Sequence, residues 1–432
     1  MSILRSLQIG VAGLRAHSEA LGVAGDNIAN VNTVGFKRSR AEFEEMIGRS
    51  VSRYSPPKVA GGGSRIGNIE QMWSQGALLN TDAPTDLAIA GEGFFIVEGV
   101  HQGQDSRFYT RAGQFQIDRD GQLVNSDGLV VQGYNVRSDG TIESAVSDLV
   151  VSSNTIPASA TTQVDLAVNL DAGEQVGPVF DATDPTGTSN FATNVTVYDS
   201  LGAAHELTVF FRKSASNAWE WHAMVDDGEL TGGTAGTLTE QASGTLTFNT
   251  DGALDTETTT ASNWNFVDAA QNQAIAFDFG TSLTTDGGAT GLDGSTQFAT
   301  ANTTTGLSQD GFPAGSVSGL SISSDGMISG VFNNGQMRPL GRIALANFTN
   351  LHGLERSGQG LWSATDASGD VMVGNPDTGG RGSILSGSLE QSNVDLGNEF
   401  VNLISYQRGF QANSRVITTA DDMYSELVNI KR

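Results

Sequence analysis

Both ends of the chain repeat apolar residues at alternating three- and four-residue steps, a spacing that a helix buries only against another helix. Positions 4, 7, 11, 14, 18, 21, 25 and 28 hold Leu4, Leu7, Val11, Leu14, Ser18, Leu21, Gly25 and Ile28, six of them apolar. Arg5, Gln8, Arg15, His17, Glu19 and Asp26 fall between these positions, so the other faces are partly polar. A helix over this stretch would be roughly 43 Å long at its standard rise. It breaks at Asn30-Val31-Asn32-Thr33-Val34-Gly35, where Asn and Gly favour turns. The last forty residues repeat the pattern with Leu396, Phe400, Leu403, Gln407, Phe410, Ser414, Ile417, Asp421, Tyr424 and Val428, seven of ten apolar. Asp395 can cap this second helix, and Glu399 suits its positive end. Lys431 and Arg432 suit the other end. Two helices alone make a thin core, so the pattern leaves apolar surface for a neighbour and points to self-assembly.

Composition narrows the function. The formal net charge of −25, from 48 acidic and 23 basic residues, argues against nucleic acid and anionic membrane surfaces. No apolar run reaches the roughly 20 residues that span a bilayer. With 0 cysteines there are no disulfides, thiolate catalysis or cysteine metal sites. The N-terminal stretch lacks the basic region, apolar core and cleavage site of a signal peptide.

The middle of the chain reads as strands. Residues 36–70 form a junction with a basic cluster at Lys37-Arg38-Ser39-Arg40, then Glu42, Glu44 and Glu45. Pro56-Pro57 and the run Gly61, Gly62, Gly63 read as a loop and flexible hinge. The run lacks the Gly-Lys-Ser/Thr of a phosphate loop. Residues 71–146 carry the buried-strand pattern Gly93-Phe94-Phe95-Ile96-Val97 and hairpin turns at Asp120-Gly121 and Asp127-Gly128. Residues 147–307 hold 20 acidic residues against Arg212 and Lys213, giving −18 of the total −25. Their period-two alternation and Gly-rich turns predict antiparallel sheets in a sandwich or barrel. Trp219 and Trp221 share a face with Ala223 and Val225, which reads as core rather than as a sugar-binding platform. Residues 308–389 return to hairpins, with Asp325-Gly326 and Asn334-Gly335 turns, and are expected to complete the sheet begun at residue 71.

Several stretches also carry a family resemblance. Asp26-Asn27-Ile28-Ala29-Asn30-Val31-Asn32-Thr33-Val34-Gly35-Phe36-Lys37 resembles the N-terminal signature of the bacterial flagellar rod and hook proteins. Leu389-Glu390-Gln391-Ser392-Asn393-Val394-Asp395-Leu396, Glu399 to Ile404 and Gln407 to Ser414 resemble the matching C-terminal signature. Asp26 departs from it, where Asn is more usual, as does Gly409-Phe410, where Ala-Tyr is common. Gly91 to Tyr134 is similar to the inner β domain of that family. Val197-Tyr198-Asp199-Ser200-Leu201-Gly202 and Gly244-Thr245-Leu246-Thr247-Phe248-Asn249 are similar to its hook branch, since rod proteins lack an inserted domain.

The resemblance implies a mainly β, discontinuous multi-domain chain with long, coiled-coil-like terminal α-helices. Residues 1–35 and 390–432 would form the polymerisation domain, 71–146 and 308–389 an inner β domain, and 147–307 an inserted outer acidic sandwich or barrel. The polymerisation interface would use Leu4, Leu7, Val11, Leu14, Leu21, Ile28, Leu396, Phe400, Leu403, Phe410, Ile417, Tyr424 and Val428. It implies a helical homopolymer acting as a universal joint, exported by the flagellar type III route. The partners would be distal-rod, hook-cap and hook–filament junction proteins and the export apparatus, with no cofactor, nucleic acid or membrane insertion. The alternatives are a distal-rod subunit and a secreted carbohydrate-binding β protein. No enzymatic site is expected. His17, His101, His205, His222 and His352 are scattered without ligand spacing, and Asp118-Arg119-Asp120-Gly121 lacks the remaining ligands of a calcium loop.

Overall fold

The computed structural model describes residues 3–50, 59–137, 140–151, 155–260 and 263–430; Pro56-Pro57, Lys431, Arg432 and the side chain of Val428 lie outside the described residues. The helices are α1 (Ile3–Ala29), the single-turn α2 (Pro185–Thr188) and α3 (Leu396–Ile430). Apart from α2, the described residues between α1 and α3 are essentially strand and turn. No described helix is long and apolar enough to cross a membrane.

The junction differs from its expected loop. Residues Ser39–Ser50 (β1) and Val59–Gln71 (β2) pair as a long antiparallel hairpin. Gly61, Gly62 and Gly63 lie inside β2, not in a loop. Glycine runs signal loops only because they carry no side chain to pack; here that lack is used. The register slips between Glu45, which pairs with Ser64, and Ile47, which pairs with Gly61, so Gly62 and Gly63 form a β-bulge. Gly63 takes φ +101, and a Cβ there would lie 3.1 Å from the Ala12 Cβ of α1.

By backbone contacts the chain divides into two units, one comprising 1–153, 318–331 and 337–432, the other 154–317 and 332–336. The first holds a 13-stranded sheet built from both chain segments. Strand Val130–Asn135 pairs with β5 (Phe94–His101, after the short β3, Leu78–Asn80, and β4, Leu87–Ala90) on one side and with Met337–Ile343 on the other. Beyond β5, β6 (Gln104–Thr110) pairs with Leu361–Ser363. Alternate residues of β5 feed two cores. Phe95 and Val97 pack with Phe115, Val131, Ile328 and Ile343, whereas Phe94 and Ile96 pack with Tyr109, Phe348 and Trp362. The turn glycines Gly121, Gly128, Gly326 and Gly335 all adopt positive φ, as Asp-Gly and Asn-Gly hairpins require.

The second unit is a five-stranded antiparallel meander, Phe191–Tyr198 through Leu254–Thr259, with a three-stranded sheet around Gln163–Asn169. Trp219, Trp221 and Trp264 are fully buried in a core with Phe211, Phe277 and Phe279. The Trp pair is therefore core. The unit's boundaries depart from the expected 147–307. Leu149 and Val151 are buried in the first unit's core, so the second begins after them. Thr303–Gln309 pairs with Gln163–Asn169, and Gly315 bridges Ile156, which carries its far end to Val317.

Candidate assembly interface and junction

Helices α1 and α3 pack on each other, but not through the large apolar residues of the α1 repeat; of the α3 repeat, Ile417 lies against Gly10. The buried face of α1 is Gly10, Gly13, Ala16, Ala20, Ala24 and Asn27, rotated one position from the seam named above. A Cβ on Gly10 would lie 2.9 Å from Ile417 Cγ1, and one on Gly13 would lie 2.5 Å from Asn413 Oδ1. Reciprocally, Gly409 of α3 accommodates the His17 ring, which a Cβ would meet at 2.4 Å. Small residues bring the two backbones close, so the pair closes on main-chain approach rather than on interdigitated leucines. The signal was the Gly-x-x-Gly-x-x-Ala spacing, which a search for large apolar residues passes over. His17 also packs against Phe43 of β1 and Tyr406 of α3, with ring centroids 5.3 and 6.4 Å away. Helix α1 is thus held between the hairpin and α3.

The seam residues remain on the surface. Leu4 is 64% exposed, while Leu7, Val11, Leu14, Leu21 and Ile28 are half-buried. On α3, Phe400 and Tyr424 are 51% and 53% exposed; Leu396 and Phe410 are also exposed, and Leu403 and Ile417 are half-buried. Val401, Ile404, Val416 and Met423 extend this uncovered surface.

At the foot of the helices the two signature stretches interlock. The Asn27 amide pairs both ways with the Ser39 backbone, donating to its carbonyl at 2.7 Å and accepting from its N–H at 2.8 Å. Lys37 Nζ donates to Glu390 Oε1 at 2.6 Å and to the Ser74 carbonyl at 2.9 Å. Arg111 reaches Glu390 Oε2 at 3.3 Å, and Gly76 N–H donates to Oε1 at 2.9 Å. All three charged side chains are buried. Burial pushes the Lys37 ammonium and the Arg111 guanidinium below their ordinary pKa values, and the Glu390 charge pulls both back. Losing Glu390 would leave two buried cations uncompensated, so the cluster fixes this arrangement more than it adds stability. Gly35, at φ +69, lies so close to Arg111 that a Cβ would sit 2.6 Å from its carbonyl carbon, and its N–H donates to the Glu390 carbonyl at 2.7 Å. Asn393 accepts from Arg38 N–H at 2.7 Å and donates to the Met72 carbonyl at 2.8 Å. Asp395 caps α3 through Gly397 N–H at 2.8 Å. Asp26, the departure from the signature, pairs with Arg356 at 3.0 Å, whose guanidinium stacks over Phe36. Sequence reasoning had singled out neither Arg111 nor Arg356.

Among the described residues no group of three metal-ligating side chains occurs. The family models that match are a flagella basal body rod protein model over residues 7–37, a flagellar hook protein D1 domain model over 88–169, a flagellar basal body protein D2 domain model over 169–312 and a rod protein C-terminal model over 385–430. The flagellar hook protein FlgE of Borreliella burgdorferi is 34% identical, covering 99% of this chain and 100% of its own length. The chain belongs to the flagellar hook protein family. Hook proteins of Escherichia coli and Salmonella typhimurium are 34% and 35% identical, each alignment covering 98% of both chains. The crystal structure of Helicobacter pylori flagellar hook protein FlgE2 shares the fold at TM-score 0.50 and 17% identity, covering 71% of this chain and 98% of that one. As a member of the family the chain is a structural subunit of the bacterial flagellar hook, and it carries the rod-family modules at both ends.

Proposed function

We propose that copies of this chain polymerise into a helical tube through the apolar faces that α1 and α3 leave uncovered. The observation that carries this reading is the exposure of Leu4, Phe400 and Tyr424 beside half-buried Leu7, Val11 and Leu14. A head-to-tail contact that does not close on itself yields a filament. The tube would join rod to filament as a universal joint, meeting distal-rod, cap and junction proteins at its ends. It would leave the cell by the type III route and act without enzymatic chemistry. Negative-stain electron microscopy tests this. The purified chain should form tubes, while Leu14→Asp should remain monomeric with both β units folded by circular dichroism. Robust tubes from Leu14→Asp would contradict the assigned face.

A further inference from the structure

The first unit contains a cleft of about 350 Å³ between Tyr134, the Ile142–Ser144 segment and the loop from Gly374 to Arg381. Two arginines line it. Arg342 is already neutralised by Asp325 at 3.0 Å. Glu143, the acid in the cleft, is held by Arg137 at 3.3 Å. Arg381 differs: its Nε donates to the Asn375 carbonyl at 2.9 Å and one Nη donates to Thr378 Oγ1 at 3.0 Å, and among the described residues it faces no carboxylate at ion-pairing distance. The loop is shaped to hold it. A Cβ on Gly374 would come within 2.3 Å of the guanidinium, so glycine there leaves the arginine in place without a shift of its side chain.

A rigid, half-buried guanidinium without a counter-ion is uncommon in a chain with 48 acids and 23 bases. Elsewhere in the β units Arg107, Arg111, Arg137, Arg212 and Arg342 each hold a carboxylate. A preorganised planar fork suits a carboxylate or phosphate. The abundant source of carboxylate is the chain itself, whose residues 147–307 carry 20 acids and two bases. We infer that this cleft receives an aspartate or glutamate side chain from the acidic unit of a second copy, with Arg381 as its cation. The contact is separate from the helical faces, and it rests on the self-assembly reading above.

The chain has no cysteine, so Ser144→Cys at the rim, carrying a short photo-crosslinker, reports what enters the cleft in assembled tubes. The expected product is an inter-chain adduct on an acid-bearing segment within residues 154–317 of the neighbour. Adducts confined to one chain, or to other parts of the neighbour, would overturn the inference. Arg381→Glu should cut tube yield roughly tenfold through like-charge repulsion, and Arg381→Lys, which keeps the charge but loses the loop hydrogen bonds, should restore most of it. A lysine variant as defective as the glutamate one would make Arg381 a loop staple and nothing more. Inorganic phosphate that binds the monomer at this cleft yet leaves tube yield unchanged would mean a free-anion site and reject the second copy as occupant. Wild-type chain that forms no tubes would sink the assembly reading and this inference together, whereas wild-type tubes indifferent to Arg381→Glu sink this one alone.

Discussion

Glu257 shows how one residue can set the pH response of a whole unit. Its carboxyl is half-buried beside Asp278 and Asp286, and burial first, then those neighbouring charges, push its pKa up to about 7, against one hydrogen bond from Phe279 N–H. The folded chain therefore holds this proton where the unfolded chain, near 4.5, has released it. Stability from this group is complete below the unfolded value and is lost as pH rises through about 7. Allowing for partial solvent exposure, the loss is about 1 kcal/mol. Asp199, Asp286, Asp310 and Asp325 are shifted the opposite way, held low by hydrogen bonds, so their contribution disappears only under more acidic conditions. Histidines ordinarily change charge in the same interval, so Glu257 is singled out by comparing wild type with its Gln variant between pH 5 and pH 8. Thermal melts of the full chain should show a lower transition for the second unit at pH 8 than at pH 5, and Glu257→Gln should flatten the difference. An unchanged slope in that variant would assign the effect elsewhere.

Among the elements, α1 performs two separable tasks on two faces. Its small face closes on α3, and its large-residue face stays open. Gly13→Leu would drive a side chain into Asn413 and overpack the pair at a cost of about 1–3 kcal/mol. Hydrogen exchange in the monomer should then show faster opening of α1, a change that Leu14→Asp should not produce. The existence, period and ends of both helices were legible because leucines at helical spacing are a strong signal. Which face closes inside one molecule was not, because glycine and alanine carry little hydrophobic weight yet permit the closest backbone approach. The hairpin was missed for a related reason: Gly61 to Gly63 advertise a loop, but the strand needs them to bulge against Ala12 and Ile9. Trp219, Trp221 and β5 were readable because period-two burial leaves a direct trace. The Lys37–Glu390–Arg111 cluster was not, since its members are 353 residues apart in one pair and 279 in the other, and spacing carries no record of such pairs. We propose that the bulge at Gly62 and Gly63 is where the hairpin flexes when a tube bends. Proline at Gly62 should yield straighter tubes by electron microscopy; unaltered curvature would reject that role.

At the scale of the molecule, folding and assembly draw on different surfaces. Among the described residues the hydrophobic cores are built from strands and loops, and none includes a residue of α1 or α3. The β units therefore do not need the helices for their apolar burial, whereas the helices expose apolar area that only further protein can cover. A cut that respects the junction follows from its hydrogen bonds. A chain of residues 72–394 keeps Gly76 and Arg111 on Glu390 and retains the pairing of Leu78–Asn80 with Ser388–Glu390, while shedding Lys37 and both long helices. Glu390 would then face one cation instead of two, a balanced pair. This fragment should sediment as a monomer, give a far-ultraviolet spectrum of β type without the helical minimum, and melt cooperatively. It should form no tubes at any concentration, and mixed with the full chain it should not enter them, because it lacks the helical faces and keeps only the Arg381 cleft contact. Tubes from the fragment would place the assembly contacts in the β units. A fragment that fails to fold would show instead that the helices, through the junction, hold those cores together.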